Sequence, residues 1–79
     1  MSTLKVESHP VAIDVCVTES NLSVDLADGR KISVPIVWFP RLQKASKYDR
    51  EKWQLLGDGQ GIHWPTLDED ICVSGLLNP

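Results

Sequence analysis

Hydrophobic and polar residues alternate along the first third of the chain. Val11, Ile13, Val15 and Val17 share one side, and Ala12, Asp14, Cys16 and Thr18 take the other. β-Branched residues at every second position predict a half-buried strand. Thr18-Glu19-Ser20-Asn21 predicts a turn, after which Leu22, Val24 and Leu26 alternate with Ser23 and Asp25. Ala27-Asp28-Gly29 predicts a second turn, before Ile32, Val34 and Ile36 alternate with Lys31, Ser33 and Pro35. One face must stay buried throughout, and that fixes the registers, because a one-residue slip turns every apolar side chain outward. A first turn centred between Glu19 and Ser20 sets Val15 opposite Val24 and Ile13 opposite Leu26. A three-residue second loop with a left-handed Gly29 sets Val24 opposite Ile32 and Leu22 opposite Val34. The other face then carries Asp14, Asp25 and Lys31 in a row. Two carboxylates directly opposite each other repel, so the row calls for a further basic group or a ligand.

The alternation ends at Pro35, which cannot donate to a ladder and marks an edge or a strand end. Val37-Trp38-Phe39-Pro40-Arg41-Leu42 is dense in bulky residues and predicts a turn or short 3₁₀ segment that plugs the core. Residues 45–53 predict one short helix, with Ser46 as N-cap and Asp49 at the capping-box position. Trp53-Gln54-Leu55-Leu56-Gly57 predicts a strand, Gly57-Asp58-Gly59-Gln60-Gly61 a turn, and Ile62-His63-Trp64 the returning strand of a β-hairpin. Pro65 stops that strand. Thr66 caps a turn holding Asp68 and Glu69, Ile71-Cys72-Val73 is a last apolar piece, and Ser74 caps a short C-terminal turn with Leu76 and Leu77. The expected architecture is α+β: an N-terminal three-stranded antiparallel meander, one short helix, then the hairpin and the C-terminal turn. Residues 1–9 are expected to be a loose polar lead-in, and residues 10–79 a single domain.

Composition narrows the function classes. Apolar residues make up 42% and charged residues 24% of the 79 positions, which is globular rather than disordered composition. A chain this short builds only a modest core, so partners matter to it. The net charge of −3 disfavours direct nucleic-acid binding, although Lys44, Lys47, Arg50 and Lys52 form a local basic patch around the helix. No apolar run approaches the ~20 residues of a membrane span, and the first residues lack the charged and apolar regions of a signal peptide. A cytoplasmic protein is expected. Cys16 and Cys72 fit no ligand spacing and are expected to be free thiols packed as small apolar residues.

Two segments carry the unusual chemistry. In Gly61-Ile62-His63-Trp64-Pro65-Thr66-Leu67-Asp68-Glu69-Asp70-Ile71 a histidine sits beside a tryptophan and a proline, ahead of three consecutive carboxylates. His63 with Asp68 and Asp70 has the donor types for a metal such as zinc, manganese or iron. The spacing matches no ligand pattern, however, and one histidine is thin for zinc. A hydrolase would pair His63 and Asp70 with Cys16, Cys72 or a serine, but no nucleophile motif is present. The three glycines of the 57–61 turn lack the lysine and helix of a phosphate loop. Arg41 follows a proline, which fixes its backbone, and its planar fork suits a carboxylate. An internal ion pair from Arg41 to Asp68 or Asp70 is expected to join the two segments. Arg41, Trp64 and His63 are the candidate partner contacts, since Arg and Trp dominate interface hot spots.

The order Asp28-Gly29-Arg30, Val34-Pro35, Trp38-Phe39-Pro40-Arg41-Leu42, Ala45, Arg50, Trp53, Gly57-x-Gly59-x-Gly61-Ile62-His63-Trp64-Pro65, Leu67-Asp68-Glu69-Asp70-Ile71 and Gly75-Leu76-Leu77 resembles the bacterial family called "domain of unknown function 2442". The match covers residues 10 to 78. The resemblance implies a small α+β fold and a bacterial source. It also implies gene pairs of toxin–antitoxin-like type, with another small protein, toxin-like, as partner. Some members carry a helix-turn-helix domain after this one, a segment that residues up to Pro79 do not reach. The family supplies no catalytic residues to carry over. The function expected is therefore a small non-catalytic protein-interaction module, without cofactor, metal, membrane or direct nucleic-acid contact. The competing expectation is a metal-dependent or hydrolytic enzyme using His63 with Asp68 and Asp70.

Overall fold

Strands β1 (Ala12–Val17), β2 (Asn21–Leu26) and β3 (Lys31–Pro35) form an antiparallel meander in the computed structural model, which describes residues 11–77. The expected lead-in over residues 1–9 lies outside the described residues, as do Pro10 and residues 78 and 79. The registers follow the pattern of alternation. Val15 faces Val24, Val24 faces Ile32, Leu22 faces Val34, and Asp14, Asp25 and Lys31 stand in one row. Gly29 turns the second loop with a left-handed φ of 97°. Lys31 Nζ lies 3.3 Å from Asp25 Oδ1, while the Asp14 carboxylate accepts from the backbone N–H of Val15 at 2.9 Å. The two facing carboxylates are thus held apart by different partners.

The register departs from expectation at the start of β1. A bulge between Ala12 and Asp14 sets Ala12 opposite Leu26 where Ile13 was expected. An extra residue in one strand exchanges its faces, so Ala12 is buried and Ile13 is 59% exposed. The small side chain goes inward where a second backbone comes close: Gly59 packs on the main chain of Ala12 and the side chain of Val11.

The middle segment lies between two sheets. A 3₁₀ turn over Ile36–Trp38 leads into helix α1 (Pro40–Gln43), and helix α2 (Lys47–Arg50) follows. Pro40 occupies the first turn of α1, where its missing N–H costs nothing. Ser46 is the N-cap of α2, its hydroxyl accepting from the Asp49 N–H at 3.1 Å. The second sheet has strands β4 (Gln54–Leu56), β5 (Gly61–Trp64) and β6 (Glu69–Cys72) in the order β4-β5-β6. The expected hairpin is β4–β5. Strand β6 adds to it, and helix α3 (Val73–Leu77) stands where a turn was expected. The fold is α+β, with two meanders in place of a meander and a hairpin. Among the described residues no helix is long and apolar enough to cross a membrane.

One core cluster joins the layers. Leu22, Val24 and Leu26 from the first sheet meet Ile62, Trp64 and Ile71 from the second. Ile36, Leu42, Val73 and Leu76 close the cluster. Gly59 lets the second sheet's turn approach β1: its φ is +99°, and a Cβ there would overlap the Ala12 carbonyl oxygen. Gly59→Ala is expected to destabilise the protein by at least about 2 kcal/mol, from backbone strain plus displaced main chain. Gly75→Ala, with open space at its Cβ, should be neutral or stabilising. Urea denaturation of the two variants checks the contrast.

Candidate partner-binding site

The site is built on a buried arginine. Arg50, at the end of α2, is only 9% exposed. Its Nε donates to the Leu42 carbonyl at 2.9 Å and its Nη2 to the Gln43 carbonyl at 2.8 Å. These are the last carbonyls of α1, which lack partners inside the helix. The Arg50 carbonyl in turn accepts from Trp64 Nε1 at 3.1 Å. One residue therefore ties α1, α2 and β5 together. Its planar fork reaches two carbonyls at once, a geometry an ammonium lacks. The sequence offered one hint of this: Arg50 is the lone arginine among Lys44, Lys47 and Lys52.

Trp64 is fully buried. It is the largest core side chain and holds the clamp, which corrects its expected role as a partner contact. The exposed tryptophan is Trp38, at 48%. Trp38, Phe39, Ile71, Gly75 and Leu76 line an open, mostly apolar groove of about 370 Å³, with Asp70 and Cys72 completing its wall. The groove runs between the 3₁₀ turn, β6 and α3. The sequence put Trp38 in a bulky segment but gave no sign of which bulky residue turns outward.

Arg41 does reach the acidic run, by a route other than the one expected. Its Nη1 donates to the backbone carbonyl of Asp68 at 2.6 Å and stands 4.0 Å from the Glu69 carboxylate. The side chain of Asp68 is not its partner. Asp68 sits in the loop between β5 and β6 with a left-handed φ of 53°, and that turn aims its carbonyl at Arg41. Asp70 is paired elsewhere. It lies directly across the strand from His63, and its Oδ1 contacts His63 Nδ1. Alternation along β6 explains the division, since neighbouring residues of a strand face opposite sides. The Arg41 side chain is 60% exposed, so the link is a surface contact rather than a buried bridge.

His63 and Asp70 are brought together, and Asp68 does not join them. Among the described residues no group of three or more His, Cys, Asp or Glu side chains converges to hold a metal ion. The Asp14, Asp25 and Lys31 row forms a shallow polar pocket of about 110 Å³ with Cys16 and Ser23. Both cysteines are free, as expected, but both are exposed rather than packed inside. In each strand the cysteine falls on the outward side, Cys16 beside buried Val15 and Cys72 beside buried Ile71. Cys72 Sγ lies 3.1 Å from Ser74 Oγ. That hydroxyl, with the backbone N–H groups of Gly75 and Ser74, holds the Cys72 thiol below its ordinary range. Near Asp28, the Arg30 N–H and guanidinium likewise stabilise the ionised carboxylate.

A two-meander α+β domain with a buried arginine clamp and an open tryptophan-lined groove defines the class of protein. The family profile described as "Protein of unknown function (DUF2442)" matches residues 12–79, and the chain belongs to that family. A crystal structure of a protein of unknown function from Rhodospirillum rubrum ATCC 11170 superposes with a TM-score of 0.75 at 30% identity, covering 90% of this chain and 88% of the other. No curated protein matches the chain.

Two outcomes follow from this geometry. Arg50→Ala removes a buried bond to the Leu42 carbonyl and a part-buried one to the Gln43 carbonyl and should cost about 2–4 kcal/mol. Arg41→Ala breaks an exposed contact and should cost no more than about 1 kcal/mol; chemical denaturation of the pair measures the difference. A thiol-reactive probe at neutral pH should modify Cys72 before Cys16, because the thiolate is the reactive form. Ser74→Ala should slow labelling at Cys72 and leave Cys16 unchanged, as followed by peptide mass spectrometry.

Proposed function

We propose that this protein is a small, non-catalytic, cytoplasmic interaction module of a bacterial regulatory or toxin–antitoxin-like gene pair. Its partner is another small protein, engaged at the groove beside Trp38. The observation that carries the reading is a half-exposed tryptophan over an apolar groove, with the exposed guanidinium of Arg41 on the same middle segment. Aromatic and arginine side chains are the usual anchors of protein interfaces. Exposed apolar surface of this kind marks interaction sites more often than it serves the fold. The clamp at Arg50, which fixes the end of α1 on the segment that carries Trp38 and Arg41, also supports the reading, because a preorganised surface loses less freedom on binding. His63, at 28% side-chain exposure, is paired across the sheet with Asp70, a residue that lines the groove, and is the third candidate contact. The family resemblance supplies the gene-pair setting.

The second reading is a metal-dependent or hydrolytic enzyme using His63 with Asp68 and Asp70. One observation favours it, the direct contact between His63 and Asp70. Purification from a native bacterial host with neighbouring genes intact separates the two. The expected result is a co-purifying small protein that Trp38→Ala and Arg41→Ala both lose, with melting temperatures lowered by no more than about 8 °C, the shift that ~1 kcal/mol produces in a domain of this size. A partner retained by both variants would contradict the interaction site. Stoichiometric metal lost in His63→Ala would turn the conclusion to the enzyme.

A further inference from the structure

Consecutive residues of β6, Asp70, Ile71 and Cys72, all line the groove. Neighbours in a strand point to opposite faces of the sheet. A groove that touches all of them therefore follows the edge of β6 rather than either face. The second sheet runs β4-β5-β6, and β6 is paired only with β5. In an antiparallel ladder, hydrogen-bonded and non-bonded pairs alternate. The Val73 N–H donates to the Gln60 carbonyl at 3.0 Å, and that phase makes Ile71–Ile62 and Glu69–Trp64 the bonded pairs. The main-chain groups of Asp70 and Cys72 thus point away from β5, to the outer edge. The Cys72 carbonyl precedes the first residue of α3, so it accepts the first bond of that helix. The Asp70 N–H, the Asp70 carbonyl and the Cys72 N–H find no main-chain partner among the described residues. Just ahead of the strand, Arg41 takes the Asp68 carbonyl, so the unpaired run begins at Asp70.

We infer that the groove is a strand-addition slot, in which an extended segment of the partner protein pairs with the outer edge of β6 and sets a Lys or Arg, flanked by two apolar residues, against Asp70. The inference rests on the groove being the partner site, as proposed above, and names the chemistry of the partner. Strand addition draws affinity from main-chain bonds and specificity from alternate side chains. In either strand direction, every second residue of the added segment turns its N–H and carbonyl toward β6. Side chains divide with the same period. Those on the inner face meet Ile71, Leu76 and Phe39, which belong to the core or pack on it. The one on the outer face meets the Asp70 carboxylate, whose side chain is 70% exposed. Cys72 shares that face, and Ser74 with nearby backbone N–H groups holds its thiol below the ordinary range. A cation there is attracted and an acid repelled. Trp38, half exposed, lines the groove with Phe39 and closes over the added segment. A helix laid in the groove would cover the edge groups and leave them unpaired, which is costly.

A display library of random heptapeptides, selected on the intact protein, tests the slot. Binders should carry a Lys or Arg between two apolar residues, and Trp38→Ala should lose them. Selection on Asp70→Lys should replace the basic residue with an acidic one. The strongest binder is then N-methylated at one residue at a time and titrated by calorimetry. Methylation of the N–H that reaches the Asp70 carbonyl should weaken binding about tenfold, the effect of roughly one main-chain bond. Methylation of either neighbour, whose N–H points away from β6, should leave affinity unchanged. Binders that need Trp38 but tolerate N-methylation at every position would overturn strand addition and leave the groove as a partner site. So would apolar residues selected at the three- and four-residue spacing of a helix. A library without binders, or an unchanged preference in Asp70→Lys, would also overturn the inference. Failure of the groove itself shows separately, as a native partner that Trp38→Ala and Arg41→Ala both retain.

Discussion

The fold depends on how a buried positive charge is satisfied without a negative one. Arg50 is enclosed by protein, yet it forms no ion pair among the described residues. Its guanidinium is solvated by two main-chain carbonyls at the end of a four-residue helix. Burying an unpaired charge is costly, and so is leaving helix-end carbonyls without donors. Here the carbonyls solvate the charge, and the guanidinium gives a donor to the Gln43 carbonyl and a second one to the Leu42 carbonyl, which also accepts from the Ala45 N–H. The Trp64 indole, bonded to the Arg50 carbonyl, carries the same connection into the second sheet. Among the described residues no buried side-chain nitrogen or oxygen lacks a partner.

That clamp gives the middle segment two unlike sides. Inward, Ile36 and Leu42 fill the core. Outward, Val37 and Trp38 are exposed, as is Arg41. Helices of four residues have little stability of their own, so tertiary contacts decide their position. With the inner side fixed by Arg50, Leu42 and Trp64, the outer side is held as a shaped surface rather than a flexible loop. The groove against β6 and α3 follows from that placement.

Much of this was legible in the sequence where a period of two governed it. Residues 15–34 show registers that alternation alone determines, because one face is buried and the other is not. Legibility failed where a local rule met a long-range contact. Ala12 replaced Ile13 at the core because a bulge and the approach of Gly59 reset the face. Strand β6 was hidden by its acids: Glu69 was read into a turn with Asp68, and Asp70 as a partner for Arg41, whereas Glu69 faces Arg41 and Asp70 faces His63 across the sheet. The roles of Trp38 and Trp64 were exchanged, because flanking residues say how bulky a segment is but not which member turns inward. Arg50 was grouped with the lysines of an exposed face, since the carbonyls it serves lie seven and eight residues back, on a different helix.

The Trp64 indole proton tests the central claim most directly. It is fully buried and bonded to the Arg50 carbonyl, so its hydrogen exchange, followed by NMR under native conditions, should require unfolding of the whole domain. Its protection should then equal the global unfolding free energy from denaturation, and it should match the most protected amides of β2. In Arg50→Met, which keeps bulk and removes both donors, protection of the indole should fall in step with global stability. An indole that exchanges freely in the wild-type protein while β2 stays protected would show that the clamp is not what joins the middle segment to the second sheet.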